Sequence, residues 1–152
     1  MKRAWIAMLM LAMVTAGGCS TYQLRGKVIE GPASGVMVVD ASDPRLEMPG
    51  IHGAMLDITL DPNQMSEKML GKFQSDLDGN FAIPISELGA GMFEYDVEIV
   101  ARHHGFQAAI QKLRLPPSNR RLLVVLSEGR DTYRSRRDII EESLRIGGEQ
   151  NQ

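Results

Sequence analysis

Apolar and polar residues alternate with a period of two over much of residues 22–127, and no helical period competes with that alternation. In residues 93–101, Phe93, Tyr95, Val97, Ile99 and Ala101 fall on one side of an extended chain, while Glu94, Asp96 and Glu98 fall on the other. Leu56, Ile58 and Leu60 alternate in the same way with Asp57, Thr59 and Asp61, and Phe81, Ile83 and Ile85 repeat the pattern with Pro84 outward. Proline has no N–H to give to a ladder, so this last segment is expected at a sheet edge or a strand end. Further strands are expected at 23–28, 36–40, 69–74, 106–115 and 121–126. In 106–115, Phe106, Ala108 and Ile110 are out of phase with Leu113 and Leu115, which predicts a bulge near Gln111 and Lys112.

Seven or eight short strands in about a hundred residues, separated by Gly, Pro, Asn and Asp clusters, predict an all-β fold, an antiparallel sandwich. Within one such cluster, Asp76-Leu77-Asp78-Gly79-Asn80, Asp78-Gly79 is suited to the φ > 0 positions of a tight hairpin, and Asp76 or Asn80 to capping its backbone groups.

The chain begins differently. Lys2 and Arg3 precede an apolar run, 4–14, which is too short for a permanent membrane span of about 20 residues. Small residues 15–18 follow and lead to Cys19, the one cysteine in the chain. This order of regions is that of an export signal. Ala16-Gly17-Gly18-Cys19 resembles a bacterial lipobox, although Ala16 stands where leucine is usual. The resemblance implies a signal peptide over 1–18, cleavage before Cys19 and acylation of that cysteine, palmitate included. The membrane would then be a partner through lipidated Cys19. Ser20, a residue other than Asp, resembles the state sorted to the outer membrane, facing the periplasm. Without Lys2 and Arg3 the net charge moves from −2 to −4, which disfavours nucleic acid as a partner, and without a second cysteine stability must come from packing.

Residues 24–28 (LRGKV), 31–36 (GPASGV), Gly53-Ala54, 75–81 (SDLDGNF), the glycines of 89–91 before Phe93-Glu94-Tyr95-Asp96-Val97, and 101–106 (ARHHGF) resemble a carboxypeptidase regulatory-like domain. The likeness covers about 24–126, within a domain drawn at 19–127. It implies a prealbumin-like (transthyretin-like) β-sandwich that performs no chemistry itself and serves as a structural or protein-interaction module. Residues 41–51 (ASDPRLEMPGI) depart from the family, which more often has a short turn there.

No catalytic or metal constellation stands out. His52, His103 and His104 lack the spacing of a zinc motif, and neighbouring positions on a strand point to opposite faces, so His103 and His104 read as solvated turn residues. The Asp76–Asn80 run lacks the flanking helices of a calcium loop. The enzymatic alternative is a transthyretin-like hydrolase of the 5-hydroxyisourate type, whose active site uses histidines, an arginine and a terminal Tyr-Arg-Gly-Ser. Here Thr132-Tyr133-Arg134-Ser135 lacks the glycine and the chain continues to Gln152. No G-x-S-x-G elbow occurs. The expectation is a non-enzyme without cofactor. A carbohydrate-binding module is the other alternative, weakened because most aromatic residues are assigned to the core, leaving Tyr22 and Tyr133.

From 128 to 152 the composition is polar, with a helix predicted over 135–146. Tyr133, Ile140 and Leu144 form a narrow apolar stripe at i, i+7 and i+11, which makes them the candidate surface for an envelope protein partner.

Overall fold

The computed structural model describes residues 21–87, 89–90 and 94–134. Cys19, Ile140, Leu144 and the helix predicted over 135–146 lie outside these residues. Eight strands are present: β1 Tyr22–Glu30, β2 Gly35–Asp40, β3 Met55–Leu60, β4 Lys68–Gln74, β5 Asn80–Ile85, β6 Asp96–Arg102, β7 Ala109–Arg114 and β8 Arg120–Leu126. They form two four-stranded sheets that pack face to face, in the orders β2-β8-β1-β5 and β4-β3-β6-β7.

The alternation read from the sequence decides which side chains meet between the sheets. Leu24 and Val28 of β1, Ile83 and Ile85 of β5, and Leu122, Val124 and Leu126 of β8 face Leu56, Ile58 and Leu60 of β3 and Val97, Ile99 and Ala101 of β6 in one core. β5 is a sheet edge, where Pro84 is tolerated because its missing N–H costs no ladder bond.

One strand pair departs from the antiparallel expectation. β1 and β8 run parallel, from Gly26 opposite Leu122 to Glu30 opposite Leu126, while the other five pairings are antiparallel. Both strands are central and covered on both faces, which is why residues 122–126 are a continuous apolar run and not an alternating one. The second cover comes from residues 41–50. Asp43 caps a short 3-10 helix, Pro44–Glu47, with its carboxylate accepting from Arg45 N. That helix sets Leu46 on Ile29, Val39, Leu123 and Val125, a small second core on the outer face of the sheet. The buried Lys27 amine donates to Leu46 O at 2.9 Å, so the long segment is held by hydrogen bonding as well as packing.

Two further expectations are corrected. β7 pairs with β6 in unbroken register from Asp96 opposite Arg114 to Ala101 opposite Ala109, so no bulge occurs near Gln111 and Lys112. The phase of Leu113 governs the strand, Ile110 is exposed, and Phe106 sits in the turn before it. The irregularity lies instead between Ile58 and Thr59 of β3, where β4 advances from Gly71 to Met69.

The Asp76–Asn80 turn is not a hairpin either. β4 and β5 belong to different sheets, so the turn carries the chain across the sandwich. Its chemistry follows the sequence in part: Asp76 Oδ1 accepts from Asp78 N and Asn80 N, and Gly79 has φ +79°, but Asp78 keeps a negative φ. Gly79 also needs its bare Cα because Gly50 presses against it; a Cβ on Gly50 would lie 1.9 Å from Asp78 O. Just before the turn, Ser75 is buried, donates its hydroxyl to Ile51 O at 2.7 Å and accepts from Ala54 N at 2.9 Å. Ser75, Asp76, Gly79 and Phe81 thus tie the crossover to residues 50–54, cap it, turn it and anchor it in the core.

Candidate functional site

Strand directions define two ends of the sandwich. At one end β1 starts with Tyr22, whose hydroxyl donates to Pro116 O at 2.5 Å. Eight residues later β1 ends at Glu30 opposite Leu126, an advance of about 26 Å at the rise of an extended strand. At this second end, β6 delivers Arg102, and the chain turns through His103, His104 and Gly105, with Phe106 N donating to His103 O at 3.1 Å. The segment after β8 packs beside that turn: Gln107 N donates to Ser127 O, Phe106 bridges Glu128, and Gly129 N donates to Gly105 O. Ser34 from the β1–β2 connection joins them, its hydroxyl donating to Gln107 O and accepting from Ser127 N.

These pinned segments enclose an open groove of about 580 Å³, lined in part by Met55, Arg102, His103, His104, Arg130 and Asp131. Its charge is lopsided, with two guanidinium groups against one carboxylate. Asp131 Oδ1 accepts from Tyr133 N, which folds the chain back so that the Tyr133 ring lies 4.7 Å from the Arg102 guanidinium carbon, a cation–π contact. Arg102 Nε is shielded from solvent and has no hydrogen-bond partner among the described residues. Arg45, Arg114 and Arg120 each hold a carboxylate at 2.7–2.8 Å, whereas neither Arg102 nor Arg130 does so among the described residues. The His103 ring meets Phe106 edge-on at 5.4 Å, and its Nδ1 is 3.0 Å from His104 O.

A second depression, about 500 Å³, includes Arg25, Asp76 and Arg121. Its polar groups are already engaged: Arg25 donates to Gln23 Oε1, Arg121 to backbone carbonyls of Ser118 and Arg120, and Asp76 holds its turn. The basic end groove is therefore the better candidate.

Of the candidate binding residues Tyr133, Ile140 and Leu144, only Tyr133 falls among the described residues, and it faces Arg102. His103 and His104 lie in a turn, as expected. Arg102 and Arg130 were missed because they are 28 positions apart, on a strand end and in a polar tail; the available signal was an Arg-His-His-Gly turn closing an apolar strand. No group of three His, Cys, Asp or Glu side chains able to share a metal ion occurs among the described residues. Nor is any helix among them long and apolar enough to cross a membrane. Compared with protein-family models, curated proteins and solved structures, the chain matches none.

Proposed function

We propose that this chain is a lipoprotein of the bacterial cell envelope, tethered through acylated Cys19 to the outer membrane on its periplasmic side. In this reading its sandwich, of the carboxypeptidase regulatory-like kind, works as a non-catalytic interaction module. The observation that carries the reading is the junction at the N-terminus: only two residues, Ser20 and Thr21, separate the lipobox-like Ala16–Cys19 from the start of β1 at Tyr22. A multiply acylated cysteine holds a protein durably where a single chain does not. The short junction would keep the Tyr22 end of the sandwich against the bilayer. Metabolic labelling with a palmitate analogue tests this: wild type takes up label and Cys19→Ser does not. Label retained in the variant, or never incorporated in wild type, refutes the lipoprotein reading.

A second reading draws on one contact. Arg102, His103 and Tyr133 meet in the groove, and histidine, arginine and tyrosine are residue types that the transthyretin-like hydrolases use. That reading requires the purified protein to accelerate loss of the 5-hydroxyisourate absorbance; the favoured one expects the uncatalysed rate.

A further inference from the structure

The groove at the Glu30 end of the sandwich is built, basic and incompletely satisfied. It is built because backbone bonds join its walls, Gly129 N to Gly105 O and Gln107 N to Ser127 O, and because Ser34 ties β8 to the β6–β7 turn. It is basic because Arg102 and Arg130 face one carboxylate, Asp131, whose Oδ1 already accepts a backbone N–H. It is incompletely satisfied because Arg102, over the Tyr133 ring, keeps a solvent-shielded Nε–H without an acceptor among the described residues. A guanidinium held over an aromatic ring has lost some of its rotational freedom before a ligand arrives, and its fork matches a carboxylate or phosphate in two parallel bonds. Met55 adds an apolar wall beside the charges.

Two sources of such an anion are separated by geometry. If the chain is tethered at Cys19, the groove stands about 26 Å from the Tyr22 end. That is several times the Debye length of about 8 Å at physiological ionic strength, so lipid headgroups of the anchoring leaflet are screened from it. A carboxylate arriving from the other side, on another protein, is not. We propose that the groove docks an acidic peptide segment of a partner protein, with carboxylates on Arg102 and Arg130 and an apolar side chain against Met55. The choice of protein over lipid rests on the tether; the groove's preference for an anion does not.

The test uses the full mature chain in detergent and a hexapeptide alternating Glu and Leu, followed by amide chemical shifts and calorimetry. Shifts centred on Gly105, Gly129 and Arg130, with affinity falling as salt rises, are the expected result. Arg102→Gln and the exposed-site variant Arg130→Gln each weaken binding about tenfold, the usual scale for losing a charge-assisted bond. Arg114→Gln at the opposite end leaves it unchanged. Deleting 135–152, which carries Asp138, Glu141 and Glu142, leaves affinity equal or higher. Equal binding by both groove variants, loss of binding on that deletion, full competition by inorganic phosphate at the same concentration, or preferential capture by phosphatidylglycerol vesicles would each overturn the proposal. Failure of fatty-acid labelling with peptide binding intact would instead remove the tether and leave the groove.

Discussion

Ser75→Ala tests whether the crossover between the sheets is held as described. The substitution removes one oxygen and leaves two backbone groups without it: Ala54 N–H, in a residue with no solvent exposure, and Ile51 C=O, in a half-buried one. A buried polar group deprived of its partner costs about 1–3 kcal/mol. Counting Ala54 fully and Ile51 in part gives a loss of about 2–4 kcal/mol. For a domain of this size about 4 °C of melting temperature goes with each kcal/mol, so Tm should fall by about 8–16 °C. Ser66→Ala is the matched control, because that hydroxyl makes only an exposed contact to Asp61, and its cost should stay within about 0.5 kcal/mol. Urea denaturation gives the free energies, and hydrogen exchange at the Ala54 amide gives the local effect. A Ser75→Ala loss no larger than that of Ser66→Ala, or an Ala54 amide as protected as in wild type, refutes the role assigned to Ser75.

Gly50→Ala should cost about 3 kcal/mol or more in the same denaturation assay, since its new Cβ would meet the backbone of Asp78 and not a side chain that can swing away. Gly79→Val should lower Tm through strain at φ +79°, while a calcium chelator leaves wild-type Tm unchanged; a calcium-dependent rise lost in Asp76→Ala would make the turn a metal site. Burial pushes the Tyr22 hydroxyl up to about 12, with Arg121 opposing. The folded state therefore favours the neutral phenol, and its contribution, complete below about pH 10, is lost as pH rises from about 10 to 12; denaturation across that range should show the loss in wild type and not in Tyr22→Phe. Removing 135–152 should leave the circular dichroism and Tm of the sandwich intact, whereas removing 128–152 also strips the Phe106–Glu128 bridge, the Gly129–Gly105 bond and the Tyr133–Arg102 contact and should lower Tm measurably.

Strand positions and facing were legible because burial imposes a period of two locally: Leu56, Ile58 and Leu60, or Phe81, Ile83 and Ile85, announce their inner face without knowledge of their partners. Pairing was not, because it joins distant segments. Nothing near 22–30 says that its neighbour is 120–126 or that the two run in the same direction. The bulge expected in β7 came from giving Phe106 and Ile110 equal weight with Leu113; Phe106 packs half-buried from a turn, and Ile110 is an exposed apolar residue of the ordinary kind. Asp78-Gly79 carried hairpin chemistry, but the same residues also serve a crossover, and only the sheet order distinguishes the two. The departure at 41–51 was visible as length and proline content, while its use as a lid over Ile29 and Leu123 required knowing that β1 and β8 are central. The groove was the least legible part, since Arg102 comes from a strand end and Arg130 from beyond the last strand.

The position of β8 between β1 and β2 has a kinetic consequence. β2 pairs with no strand other than β8, and β1 has its second partner only when β8 arrives, so residues 22–40 wait on residues 120–126. A chain emerging from the ribosome N-terminus first holds β2 without a partner strand, with Val36 and Val39 uncovered, until almost the whole domain is out. Long-range pairings of this sort slow folding and lengthen the exposure of sticky intermediates. The sandwich therefore closes in a late, nearly all-or-none step, and any truncation that reaches β8 releases an aggregation-prone chain in place of a weakened domain.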